Sequence, residues 1–151
     1  MTSDALLAYF HFSSMIGLAA LLACELALVA QPAAAMRLHQ LRSLDGLYGM
    51  FAMLTLASGV ARVVWGAKGY AFYLGNPVFH VKVTLFVVVG LLSIYPTLKF
   101  LRWSKAAHAD SNALPDEASM GKVRKVILMQ LLLFTLIPLA ATFMARGIGA
   151  G

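Results

Sequence analysis

Val78 to Leu101 reads VFHVKVTLFVVVGLLSIYPTLKFL, with no charged residue between Lys82 and Lys99. A helix needs about 20 consecutive apolar residues to cross a hydrocarbon core of roughly 30 Å. This stretch meets that requirement and predicts a transmembrane helix. Asn76-Pro77 lies just before it, where proline suits a first helical turn.

Three further stretches have the same character. They run over about 5–29, 44–65 and 123–145, and the stretch quoted above, about 78–101, is the third of the four. Gln31-Pro32 ends the first, Gly66 follows the second, and Gly147 and Gly149 follow the fourth. The sequence therefore predicts an all-α fold, a four-transmembrane-helix bundle forming a single integral membrane domain over 1–151. The 151 residues are 61% hydrophobic and 12% charged. A soluble domain of this size has too much surface for its volume to hide so much apolar area; lipid covers it.

Ala33-Ala34-Ala35 resembles a signal-peptide cleavage site. However, no Lys or Arg precedes the first apolar run, and that run is longer than an h-region. It is read as a permanent span.

Lysine and arginine in short loops set the orientation. Arg37 and Arg42 follow the first span, and Arg102, Lys105, Lys122, Arg124 and Lys125 lie between the third and fourth. Those two loops are expected in the cytoplasm of a bacterial inner-membrane protein. Both termini and the loop 66–77 then face the periplasm. The stretch 106–119 is expected to be a cytoplasmic loop without its own fold, and His39 and His108 are expected to be solvated. Trp65, Tyr70, Phe72, Tyr73 and Trp103 read as interfacial anchors. The net charge of +6 is explained by basic helix ends at a membrane surface, and no nucleic-acid partner is expected. The expected partner is membrane lipid, and the apolar faces are compatible with a homo-oligomer. The single cysteine, Cys24, excludes an internal disulfide, a c-type haem attachment and a cysteine-based zinc site. The methionines read as packing or lipid-facing residues.

Ionisable residues inside spans are costly and are functional candidates by default. His11, Met15, Leu18, Leu22 and Glu25 share one face of the first span. His11 and Glu25 lie about 21 Å apart along the axis. Asp45, Tyr48, Ala52, Thr55, Gly59 and Arg62 share a face of the second, with Gly46, Gly49 and Gly59 expected to permit close approach. His80 and Lys82 are about 200° apart around the third span: Lys82 aligns with Phe86, Val89, Ser93 and Pro96, and His80 with Thr84, Val87 and Leu91. Pro96 and Pro138 interrupt the ladders of their spans. Glu25 is expected to face the bundle interior and to pair with Gln130 or a residue of the second span.

The outer half thus gathers His11, Arg62, Lys68, His80, Lys82 and Arg146, with Asp4 the one acid nearby. Such a cluster calls for an anion. Haem b fits, because histidine ligates iron and cations pair with propionates. Quinone or another anionic ligand also fits. The plainer readings are a capping role for His80, interhelical hydrogen bonding for His11 and lipid-phosphate contact for Arg62, Lys68 and Arg146.

Several stretches carry a resemblance: Asp45 to Gly49, Gly59-Val60-Ala61-Arg62, Gly66-Ala67-Lys68-Gly69, Asn76 to Lys82, Gly90 to Thr97 and Met144 to Gly147. The chain resembles an uncharacterised family of small bacterial four-helix membrane proteins. It is also similar in size and topology to the HemJ-type protoporphyrinogen oxidases, whose third helix opens with a His-x-Lys pattern matched by His80-Val81-Lys82. That resemblance implies haem b, porphyrinogen oxidation and electron transfer to quinone. The family's first-helix histidine precedes an Ile-Gly pair. Here Ile16-Gly17 is present, Ser14 stands at the equivalent position, and His11 lies one turn earlier.

The expectation is therefore a haem b-binding redox protein with His80 and His11 as metal ligands and Arg62, Lys82 and Arg146 as cofactor partners. HemJ-like chemistry is the first alternative. A non-redox transport or accessory subunit is the second, with Glu25, Asp45 and Gln130 as its proton-linked or polar site.

Overall fold

In a computed structural model, residues 2–31, 37–110 and 112–149 are described. Pro32 and Ala33-Ala34-Ala35, on which the first span's end and the cleavage question turn, lie outside them. The chain forms five helices among the described residues: α1 (Thr2–Val29), α2 (Leu38–Trp65), α3 (Gly69–Leu74), α4 (Pro77–Ala109) and α5 (Glu117–Ala145). The four long ones are each long and apolar enough to cross a membrane.

Helices outrun the apolar stretches that announce them. α2 begins at Leu38 rather than near Leu44, and α4 continues to Ala109 rather than ending near Leu101. Apolarity marks the part inside the bilayer. The helix itself continues through Arg42, Arg102, Lys105 and Ala106, whose side chains favour helix. The expected loop 106–119 accordingly shrinks to the segment between Ala109 and Glu117. The loop 66–77 likewise contains α3. Asn76 caps α4, its Oδ1 accepting the Val78 N–H at 2.9 Å, with Pro77 at the first helical position.

α1 packs chiefly on α2 and α4 on α5, while α1–α5 and α2–α4 contacts close the ring. Two hydrogen bonds fix one end of it. The Ala67 N–H donates to Asp4 Oδ1 at 3.0 Å, and Asn76 Nδ2 donates to the Ile148 carbonyl at 3.3 Å. This is the termini end; the opposite, basic end carries the α4–α5 connection.

The core follows the faces the spacing defines. Leu18, Leu22 and Glu25 of α1 are buried, as are Tyr48 and Thr55 of α2, Val89 and Pro96 of α4, and Val123, Ile127, Gln130 and Phe134 of α5. The outer faces present Ile16, Met53, Val60, Leu91, Leu132 and many other large apolar side chains. That inversion suits lipid, which needs no polar exterior.

Close approach occurs at Gly17 and Gly59. The Phe51 ring occupies the space a Gly17 side chain would need, and a Cβ at Gly59 would come within 3.2 Å of His11 Cε1. Gly46 and Gly49, also expected to permit close approach, have open space around them. Two of the expected anchors are packing residues. Tyr73 is buried against Phe79, ring centroids 5.5 Å apart, and Trp103 packs on the core beside Phe100.

Candidate functional site

The polar residues divide into two groups. At the termini end, a hydroxyl ladder joins α1 to α2. Thr55 Oγ1 donates to Ser14 Oγ at 3.1 Å, Ser14 donates to the His11 carbonyl at 2.8 Å, and His11 Nδ1 lies 3.0 Å from Ser58 Oγ. The Ser58 hydroxyl also has two backbone acceptors in its own helix, the Leu54 carbonyl at 2.7 Å and the Thr55 carbonyl at 3.1 Å. With the serine hydrogen on one of these carbonyls, Ser58 oxygen accepts from His11 in the tautomer that carries its proton on Nδ1, and that tautomer leaves the Nε2 lone pair free.

Arg62 and Lys82 both act electrostatically on this imidazole, one from α2 and one from α4. Among the described residues neither cation rests on a carboxylate: the Arg62 guanidinium lies 5.2 Å above the Phe12 ring, and Lys82 Nζ is 5.3 Å from the Phe79 ring centroid. Arg62 Nε is buried with no hydrogen-bond partner among the described residues. An orphaned guanidinium N–H beside a second cation is a place where an anion would be stabilised.

His80 does not join this group. The Lys82 face of α4 turns inward, so the His80 face turns outward: His80, Thr84, Val87 and Leu91 are all exposed. His80 Nε2 donates to the Leu74 carbonyl at 2.9 Å, which closes the C-terminus of α3. The ring is thus a cap, and the paired ligation of one iron by His80 and His11 is not assembled. Arg146 is likewise exposed, at the C-cap of α5. Lys68 lies over Phe72 at 4.5 Å.

The remaining residues fit haem in part. One imidazole has its second nitrogen fixed by a hydroxyl, as metal-ligating histidines usually do. Two cations suit the two propionates. An apolar groove of about 360 Å³ between α1 and α2 is bordered by Phe10, Phe51 and Leu54 and reaches Ser14 and Ser58 of the hydroxyl ladder; His11, Arg62 and Lys82 do not line it. A second histidine ligand is not supplied by this arrangement.

The second group lies toward the basic end. Thr97 Oγ1 donates to Asp45 Oδ1 at 2.6 Å, at the edge of a cleft of about 380 Å³ between α2 and α4. His39, Arg42, Ser104 and His108 also line that cleft. His39 and His108 were expected in open loops; the extension of α2 and α4 places them on helices facing each other across it. Glu25 is buried in the interior as expected, at 2% exposure, but the expected pairing is not made. Glu25 Oε1 and both side-chain polar atoms of Gln130 have no hydrogen-bond partner among the described residues. No group of three metal-ligating side chains is present among the described residues.

Sequence reasoning assigned no role to Ser58 and Thr97. Both are serine or threonine in a helix, where such a side chain usually bonds back to its own backbone. Their partners become visible only once the helices are paired.

The chain belongs to the family described as predicted membrane protein (DUF2214), whose model matches residues 3–149. This agrees with the uncharacterised membrane family that the sequence resembles. The likeness to HemJ-type oxidases has no counterpart in that match. The chain matches neither a curated protein nor a solved structure.

Proposed function

We propose that this protein binds haem b and carries out redox chemistry in the bacterial inner membrane, with its site in the outer half of the bilayer at His11, Arg62 and Lys82. The observation that carries the reading is the state of His11. Its Nδ1 pairs with Ser58, which in the Nδ1–H tautomer leaves Nε2 as a Lewis base, and it lies within electrostatic reach of Arg62 and Lys82, with Arg62 Nε unpartnered among the described residues.

Haem satisfies both needs in one molecule, because its iron accepts an imidazole nitrogen and its propionates accept cationic donors. A quinone offers oxygen acceptors to Arg62 and Lys82 but nothing for a bare nitrogen. When bound, haem supplies one-electron exchange. The chain's own residues do the rest. Ser58 fixes the tautomer and direction of the His11 ring. Arg62 and Lys82 hold the acidic edge, each charge-assisted contact contributing about 1.5–3 kcal/mol. Phe51 and Leu54 would supply apolar contact from the neighbouring α1/α2 groove. The basic α4–α5 connection is assigned to the cytoplasm by its Lys and Arg content, which puts this site toward the periplasm.

A porphyrinogen carries the same propionates without iron, so Arg62 and Lys82 alone would suffice for HemJ-like substrate binding. Turnover of a porphyrinogen by the purified protein separates the two.

The test is the absorption spectrum of purified protein, oxidised and then reduced. Haem b bands are expected in the wild type and in His80→Ala, and are expected to be lost in His11→Ala. Lys82→Ala should weaken retention of the cofactor without changing the ligand. Colourless wild-type protein after expression with ample haem would sink the proposal. Loss of the bands in His80→Ala alone would move the ligand to the other histidine.

A further inference from the structure

The basic end of the bundle holds a second polar system, which the haem reading does not use. Asp45 on α2 stands at the edge of the α2/α4 cleft with the Thr97 hydroxyl bonded to it at 2.6 Å. Behind it, inside the bundle, Glu25 lies within electrostatic reach of Asp45. The buried Tyr48 hydroxyl lies within reach of both carboxyls. From α5, the element packed on the other side of α1, Gln130 contributes an uncharged amide at 0% exposure with neither polar atom bonded. Lys122, Arg124 and Lys125 of α5 are exposed, and Lys99 of α4 rests on the Tyr95 and Trp103 rings.

We propose that Glu25 is a proton-binding group loaded from the basic end of the bundle through the α2/α4 cleft, with Asp45 as the relay at the cleft edge. Three observations carry this. First, Glu25 Oε1 is enclosed and unpartnered. An unpaired carboxylate cannot rest in apolar surroundings, so it takes a proton or a cation. Second, among the described residues no three metal-ligating side chains converge, which favours a proton over a metal ion. Third, the cleft is lined by polar side chains, His39, Arg42, Ser104 and His108, and reaches Asp45, a carboxyl within electrostatic reach of Glu25. In the step itself, a proton leaves water in the cleft and binds the Asp45 carboxylate. It then passes to the Glu25 carboxylate, and Asp45 returns to its ionised, Thr97-bonded form. No oxidant or reductant enters.

A hydrophobic carbodiimide tests this, because it adds covalently to protonated carboxyls in apolar sites and the adduct is read by mass. Wild-type protein in sealed membrane vesicles should be labelled at Glu25. Once the carboxyl deprotonates, the rate should fall about tenfold per pH unit. The controlling pH should be that on the basic side, set by comparing vesicles of the two orientations. Glu25→Gln, which keeps the shape and hydrogen-bonding capacity, should lose the adduct. Asp45→Asn should slow the response to a pH jump on the basic side by on the order of a hundredfold, while leaving the final adduct level unchanged. Absence of the Glu25 adduct in wild type would overturn the proposal. So would labelling that follows the pH at the termini side, or an Asp45→Asn variant that responds as fast as wild type. Protection by sodium at fixed pH would replace the proton with a cation and also overturn it.

Discussion

His11 Nδ1 on α1 and Ser58 Oγ on α2 lie 3.0 Å apart, and the serine hydroxyl also reaches the Leu54 and Thr55 carbonyls of its own helix. A serine hydrogen kept on a backbone carbonyl makes Ser58 the acceptor and favours the tautomer with Nε2 free. Ser58→Ala removes the acceptor and leaves a part-buried N–H without its partner. Stability should fall by about 1 kcal/mol, measured by denaturant unfolding in detergent. Nitrogen NMR of the labelled imidazole should show one tautomer in wild type and a mixture in the variant. An unchanged tautomer ratio would remove Ser58 from the account.

Glycines of α2 should respond differently to the same substitution. A Cβ at Gly49 would meet nothing within 4 Å, so Gly49→Ala should stabilise the helix by about 0.5–1 kcal/mol through propensity alone. Gly59→Ala brings its Cβ to 3.2 Å from His11 Cε1, and Gly59→Leu overfills the space. The leucine variant should lose about 1–3 kcal/mol and displace the imidazole. Thermal unfolding of the three variants checks the order. A Gly59→Leu protein as stable as wild type would show that the two helices do not approach there.

Much of this was legible in the sequence because a membrane simplifies the reading. Apolar runs marked the four spans, and helical spacing placed Leu18, Leu22 and Glu25 inside and separated the Lys82 face of α4 from the His80 face. Spacing alone could not say which of those two faces turned inward. Three aligned residues drew attention to His80, whereas packing puts Lys82 toward the bundle and His80 on the Leu74 carbonyl. The glycines show the same limit: Gly46, Gly49 and Gly59 look alike in sequence, but only Gly59 has an opposing side chain. Helix ends are not legible in the sequence because hydropathy reports the bilayer and not the helix, so the cleft with His39 and His108 emerges only when α2 and α4 extend beyond their apolar stretches.

Asp116 provides a pH dependence outside the membrane. Its carboxylate caps α5, Oδ2 accepting the Ser119 N–H at 2.9 Å. Ser119, through its hydroxyl and then its backbone N–H, holds the Asp116 carboxyl below its ordinary value of 3.8. A depressed folded value means the cap is fully stabilising above the unfolded value and is lost as pH falls through the folded one. Amide hydrogen exchange in the first turn of α5 should therefore accelerate below about pH 4, beyond the intrinsic pH dependence of exchange, and show full protection above it. Asp116→Ala should show fast exchange there at every pH, whereas Asp116→Asn should retain protection with no acid dependence. Wild-type exchange in that turn with the same pH profile as Asp116→Ala would exclude the cap.

The orientation rests on a small set of charges. Arg102, Lys105, Lys122, Arg124 and Lys125 flank the α4–α5 connection, and Arg37 and Arg42 lie at the same end of the bundle. The opposite end carries Arg62, Lys68, Lys82 and Arg146. Two of these four, Arg62 and Lys82, are part-buried toward the bundle rather than free in a loop. Retention of a loop in the cytoplasm depends on Lys and Arg near the span ends, with acidic residues contributing little. The α4–α5 end should accordingly remain inside, and a reporter fused to the C-terminus should be active only in the periplasm. Replacing all five residues of the α4–α5 set by glutamine removes most of the bias, so the variant should insert in both orientations. Replacing Lys68 and Arg146 by glutamine should leave the insertion unchanged. A C-terminal reporter active in the cytoplasm for the wild type would invert the bundle. It would place the His11 site toward the cytoplasm and the Asp45 cleft toward the outside.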